Sequence, residues 1–303
     1  MSLSFLFDPH APVRASAKIV QIDSGQKNII HHTNASSRCE RGEFSEDRMQ
    51  ERANSVKQGL AEGRLQLGLW CSLGSALATE VMAGSNCDWL LIDGEHSPND
   101  LLSIMAQLQA VGGHPVEACV RLPEENATLI KQFMDAGARS LMIPNVRNAE
   151  QAKRIVAAAR YAPEGFRGFS VGHRANQFGR IKEYHQNAHL NQMLILQIEC
   201  EEGVRNASEI AAVDGVDVLF VGPGDLSTNM GAMHNAGADH VQQAIASVLE
   251  AAKTAGKAAG ILAPLQADAE RYIANGFTYV AVGADLGLVA RGSDALIAHF
   301  KKD

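Results

Sequence analysis

From Leu65 onward the chain alternates between short aliphatic or β-branched runs and longer stretches whose apolar positions recur at helical spacing. The runs are Gln66 to Trp70, Trp89 to Asp93, Glu117 to Leu122, Ser140 to Pro144, Met193 to Glu199, Val216 to Gly222, Ala258 to Ala263 and Tyr279 to Gly283. Most are continuous in their apolar character, which is the pattern of strands covered on both faces. The stretches between them carry helix signals. Asn126 stands as a cap before Ala127 to Ala136, with Gly137 as the stop, and a similar pattern runs from Asn148 to Tyr161. Strand and helix alternating through eight units predict a (β/α)8 TIM barrel of parallel strands in preference to an open doubly wound sheet.

Residues 1–50 read differently. They are polar and aperiodic, with stretches such as His31-His32-Thr33-Asn34-Ala35-Ser36-Ser37, and they predict a poorly ordered extension outside the barrel, which would occupy 51–303. Met49 stands just before a helical-looking stretch, Ala53 to Glu62, so the upstream part is either an extension or the product of a misplaced start. The one long connection, Ala162 to Gln192, holds Arg167, Gly168, His173 and Arg174. Connections of that length in compact domains act as lids or carry structure of their own.

The composition narrows the function classes. A chain of 303 residues that is 46% hydrophobic can bury a sizeable core, yet no apolar run approaches the roughly 20 residues of a membrane span. Its formal net charge of -7 offers no broad basic field for a phosphate backbone, so neither nucleic acid nor membrane is an expected partner. Cys39, Cys71, Cys87, Cys119 and Cys200 are scattered, without a CxxC pair, and fit a reducing cytoplasm. The opening MSLSFLF is too short for a signal-peptide core.

In a barrel the reactive groups stand where strands end. The second run ends in Asp93-Gly94-Glu95-His96, the third in Arg121, the fifth in Gln197-Ile198-Glu199, and the sixth leads to Gly222-Pro223-Gly224-Asp225. Glu199 and Asp225, from adjacent strands, are hard oxygen ligands suited to magnesium or manganese, with positions left for a 2-oxo acid; the alternative is that they are simply polar strand ends. His96 is a candidate proton carrier that Asp93 or Glu95 would orient, or an incidental strand-end histidine. Arg121 would stabilise charge on an enolate oxygen, or else makes a surface ion pair. No lysine stands at a strand end, where a Schiff-base route would need one, and this argues for a metal route to the enolate. The Gly283-Ala284-Asp285-Leu286-Gly287 tail opens a last helix, either as an anion-binding end or as a packing turn. Neither GxGxxG nor GxxxxGK[ST] occurs.

These words together resemble the HpcH/HpaI class II pyruvate aldolases. The matching stretches are Gly68-Leu69-Trp70, WLLIDGEHSPND from Trp89, Val120-Arg121, LILQIE ending at Glu199, VGPGDLS ending at Ser227 and GILAP from Gly260, in order along nearly the whole barrel. RGFSVGHRANQFG from Arg167, GILAPLQADAERY from Gly260 and YVAVGADLG from Tyr279 look most like the members acting on 2-dehydro-3-deoxyglucarate. The resemblance implies His96 as proton acceptor, Glu199 and Asp225 as ligands of a divalent metal (Mg2+, with Mn2+ or Co2+ as alternatives), and Gln197 with the Gly224 backbone as pyruvate-binding groups. It further implies Arg121 as transition-state stabiliser and Asp135 as the residue that raises the basicity of His96, with Asp93 beside them. Gly224 departs slightly from the Ser or Ala expected there.

The reaction so implied is retro-aldol cleavage of a 2-oxo acid to pyruvate and tartronate semialdehyde, whose carboxylate Arg174, His173 or the last helix end would meet. Alternatives are aldolase action on 4-hydroxy-2-oxoheptanedioate or another 2-keto-3-deoxy acid, a coenzyme A thioester lyase, a citrate-forming condensation, and a non-enzymatic oxo-acid sensor. The resemblance also implies a homo-oligomer, a hexamer with C-terminal helices exchanged between partners.

Overall fold

A computed structural model describes residues 52–301. The expected disorder of 1–50 therefore lies outside the described residues. Each of the eight apolar runs is a strand, with ends within two residues of those read from the pattern: β1 Gln66–Cys71, β2 Trp89–Asp93, β3 Glu117–Arg121, β4 Ser140–Ile143, β5 Met193–Ile198, β6 Val218–Val221, β7 Ala258–Leu262 and β8 Tyr279–Ala284. They pair in chain order, all parallel, and β8 returns to β1 to close the barrel. All residues of β2, β4, β5 and β6 are buried, which is why these runs show no alternation.

The helices begin with α1 (Ser55–Ala61), α2 (Ala76–Ala83), α3 (Leu101–Val111), α4 (Ala127–Asp135) and α5 (Ala149–Ala159). Next come α6 (Tyr184–Asn191), α7 (Glu201–Arg205), α8 (Ala207–Ala211) and α9 (Pro223–Asn229), then α10 (Asp239–Thr254), α11 (Gln266–Asn275) and α12 (Asp285–Phe300). Local chemistry sets their ends. Asn126 caps α4 by accepting from the amides of Thr128 and Leu129, satisfying donors that the first helical turn leaves free. At the other end Gly137 takes a φ of +109°, and the chain turns back toward β4.

Two apolar layers result. Ile104, Ile130, Leu141, Ile155, Leu196 and Val248 belong to the layer between sheet and helices. Trp70, Trp89, Met142, Ile195, Phe220 and Tyr279 form a second cluster, in which the rings of Trp89 and Tyr279 stack with centroids 3.9 Å apart. Gly68 makes room for that stack, since a Cβ there would meet Trp89 Cε2 at 2.1 Å. The start of the barrel is closed by α1, whose cap Asn54 donates to Ser140 Oγ at 3.0 Å, while Lys57 pairs with Asp217 at 3.2 Å. That leaves the opposite end, where the strands finish, for chemistry.

No described helix is long and apolar enough to cross a membrane. Along α12 only Asp285 is buried, and Leu288, Val289, Leu296, Ile297 and Phe300 are exposed.

Candidate active site

The third strand delivers Arg121 into a clamp. Its Nε donates to Asp93 Oδ1 at 2.9 Å and its Nη2 to Asp93 Oδ2 at 2.7 Å, a two-pronged pair between residues that are almost fully buried. Asp93 and Arg121 are register partners on β2 and β3, so closure of the sheet creates the pair. The Trp70 ring lies 5.0 Å from the guanidinium carbon, and its Nε1 donates to Asp93 Oδ2 at 3.4 Å. Glu95 Oε2 sits 2.8 Å from Arg121 Nη1, an ion pair whose angle leaves that oxygen without a hydrogen bond. A guanidinium fixed on several sides has little orientational freedom left to lose when it meets a substrate.

Burial alone would raise the Asp93 carboxyl. Hydrogen bonds and charge from Arg121, helped by the amides of Glu95 and His96, outweigh it and hold that carboxyl below its ordinary value. For Glu95 the balance runs the other way: burial dominates, Asp93 and Asp225 add to it, and the pKa is raised despite Arg121 and His96.

Glu199 follows β5 and is 7% exposed. Its Oε1 accepts from Gln197 Nε2 at 2.7 Å, and its Oε2 from the Asn145 amide at 3.1 Å. Gly222, at the end of β6, leaves the space it occupies, because a Cβ there would fall 2.5 Å from Glu199 Oε1. Burial, followed by the charges of Glu95 and Asp225, pushes the Glu199 carboxyl from 4.5 to about 7. Like charges in a poorly solvated place call for a compensating cation. Asp225 stands in the first turn of α9, and a side chain on neighbouring Gly224 would project into open space. Gln197 Oε1 is buried with no hydrogen-bond partner. An acceptor left bare beside two carboxylates fits a cation or a ligand donor. Among the described residues no three His, Cys, Asp or Glu side chains group to hold a metal ion. Glu199 and Asp225 are close enough for the charge of one to act on the other, and carboxylate oxygen is a donor type that suits a hard cation.

His96 lies on the same rim, with its side chain 62% exposed and Nε2 3.7 Å from Glu95 Oε2. Of the two carboxylates expected to orient it, Glu95 is beside the ring, whereas Asp93 accepts from the His96 backbone N–H at 3.4 Å. Asp135 is elsewhere. It closes α4 at the end of the barrel where strands begin, accepting from Arg167 Nη2 at 2.6 Å, with His173 Nε2 at 3.8 Å. Its side chain is committed to the buried Arg167 and is not brought to His96 within this chain.

The long connection follows Asp135 for the same reason. It runs from a helix back to the start of β5, so Arg167, His173 and Arg174 lie with the helix C-termini, where Arg174 Nη1 donates to Ala136 O at 2.8 Å. They do not reach the carboxylates at the strand ends. The start of α12 is no open anion site either: the Asp285 carboxylate accepts from the amides of Ser72, Leu73 and Leu286 at 2.8, 3.1 and 2.7 Å.

The model of the HpcH/HpaI aldolase/citrate lyase family matches residues 66–292. The chain belongs to that family. A 5-keto-4-deoxy-D-glucarate aldolase of Enterobacter sp. is 45% identical over 249 residues, spanning 82% of this chain and 97% of that protein. Among solved structures, an HpcH/HpaI aldolase/citrate lyase family protein from Burkholderia cenocepacia superposes with a TM-score of 0.81 at 38% identity, covering 82% of this chain and all of that one. The citrate synthase SbnG gives a TM-score of 0.74 at 27% identity over 81% of this chain and 96% of its own. Solved structures similar to this barrel thus carry names that record different carbon-carbon chemistry.

Reading the sequence missed the contacts that hold these groups in place: Trp70 under Arg121, the hydrogen bond to Glu199 from Gln197, which the resemblance implies as a pyruvate-binding group, and the Asn145 amide. The first two were visible as residue types at strand ends, but nothing in their spacing shows what they touch.

Proposed function

We propose that this chain is a divalent-metal-dependent aldolase that cleaves 5-keto-4-deoxy-D-glucarate to pyruvate and tartronate semialdehyde. The observation that carries the reading is a pair of carboxylates, Glu199 and Asp225, beside a clamped arginine at the strand ends. The 45% identity to the Enterobacter aldolase, over almost all of that protein, supports the choice of substrate.

Glu199 and Asp225 would hold the ion, with Mg2+ suited to an all-oxygen donor set and Mn2+ or Co2+ able to replace it. Such an ion, when bound, supplies Lewis-acid polarisation of the 2-oxo group. The rest falls to the chain's own residues. Gln197 and the backbone at Gly224 bind the pyruvate end of the substrate. His96, on the solvent side with Glu95 next to Nε2, takes the proton from the hydroxyl on the carbon two removed from the oxo carbon; the bond between that carbon and the intervening methylene breaks, the carbinol carbon becomes the aldehyde and the bonding pair passes into the pyruvate enolate. Arg121 presents donors to the oxygen on which enolate charge develops, and Asp93 and Trp70 keep it aimed without reorganisation. Within one chain, Glu95 takes the place beside His96 that the family resemblance gives to Asp135.

The apolar side chains left exposed along α12 support a homo-oligomeric assembly, for which the family resemblance implies a hexamer. A citrate-forming condensation is the second reading, favoured by the likeness to SbnG.

The test is pyruvate release from 2-keto-3-deoxy sugar acids and 4-hydroxy-2-oxo acids, assayed with a coupled dehydrogenase, beside release of free thiol from coenzyme A thioesters offered with an oxo acid. The purified protein should act on the sugar acid, lose activity in chelator and regain it with magnesium, manganese or cobalt. Full activity in chelator would sink the metal-dependent reading, and thioester turnover without sugar-acid cleavage would favour the second.

A further inference from the structure

The Glu199 carboxylate is gripped from two directions, and one grip comes from backbone in an uncommon conformation. Gln197 Nε2 holds Oε1, while the Asn145 N–H reaches Oε2 from the end of the neighbouring strand β4. Asn145 has a φ of +52°, in the left-handed region. Its successor continues the stitching, since the Val146 N–H donates to the Gln197 carbonyl at 2.9 Å. Consecutive amides of one loop thus bind both the backbone of Gln197 and the side chain of Glu199.

The Asn145 side chain has a smaller part in this arrangement. Its Oδ1 accepts from Arg147 Nε at 3.3 Å, in an exposed contact. What the position requires is a backbone that tolerates positive φ. Glycine does so freely, asparagine better than most, alanine poorly and β-branched residues least.

We propose that Asn145 is a positioning residue for the divalent-ion centre: its left-handed backbone aims the N–H at Glu199 and fixes the carboxylate orientation that an ion shared with Asp225 requires. The inference rests on the metal-dependent reading above. It concerns how Glu199 is held, which the activity itself does not reveal.

Three variants separate backbone from side chain: Asn145→Gly, Asn145→Ala and Asn145→Val. The measurement is Mn2+ binding to the purified full-length protein, read from the electron spin resonance signal of free Mn2+, with far-UV circular dichroism to establish folding. The Gly variant should bind within about twofold of the parent. The Ala variant should bind more weakly, and the Val variant about 10-fold or more weakly, the scale of losing a group that orients a metal ligand. If the Val variant does not fold, Ala against Gly decides. Binding by Ala and Val as tight as by the parent would overturn the proposal. Equal weakening in all three would overturn it too, because the side chain would then be the cause. A parent protein that binds no Mn2+ removes the metal-dependent reading and this inference with it, whereas a parent that binds while the variants match it removes the inference alone.

Discussion

Stripping the protein of divalent ions should give it a pH-dependent weakness that Glu199 explains. This carboxyl is raised from 4.5 to about 7 in the folded chain, by burial and then by Glu95 and Asp225. The folded state therefore holds the proton more tightly than the unfolded state does. The resulting stability is complete below the unfolded value and is lost as pH rises through the folded one. A shift from 4.5 to about 7 corresponds to ~3 kcal/mol across that window, with little discount for solvent because Glu199 is 7% exposed. His173 works in the opposite sense. Burial lowers its pKa, so its contribution falls away as pH drops through its ordinary range. The comparison that isolates Glu199 is thus the parent against Glu199→Gln, both in chelator, by urea denaturation at about pH 5 and about pH 8. The parent should lose ~3 kcal/mol more than the variant between those pH values. Adding Mn2+ at the higher pH should restore the parent, since the ion binds the ionised carboxylate of the folded state. Parallel behaviour of the two proteins would refute the reasoning.

Two further outcomes follow from the ion pairs. Arg121→Lys keeps the charge but loses the fork that grips both oxygens of Asp93; steady-state kinetics should show turnover reduced by about 100-fold or more, with the fall in kcat exceeding any change in KM. Asp135→Asn leaves the Arg167 guanidinium, whose side chain is fully buried, without its carboxylate; calorimetry should show a loss of about 3 kcal/mol, and kcat of the folded fraction should stay near the parent value if Asp135 serves only the fold of its own chain. A kcat collapse at unchanged stability would instead return Asp135 to the chemistry.

The sequence by itself determined what depends on near neighbours. The spacing of apolar residues follows from backbone geometry, so all eight strands and the cap at Asn126 could be read from it, along with the strand ends that carry Asp93, Glu95, His96, Arg121, Glu199 and Asp225. Partners across the barrel could not be read that way. Whether Asp93 meets His96 or Arg121 depends on the register of β2 against β3, and Asp285 finds Ser72 213 residues away only because β8 closes onto β1. The long connection shows the same division. Its arginines and histidine suggest an active-site role by residue type, yet a segment joining the end of a helix to the start of a strand must lie at the opposite end of a parallel barrel. Side-chain chemistry is written residue by residue, but which groups share a solvent-poor space is decided by closure of the sheet, and that sharing is what brings Glu95, Glu199 and Asp225 into one field.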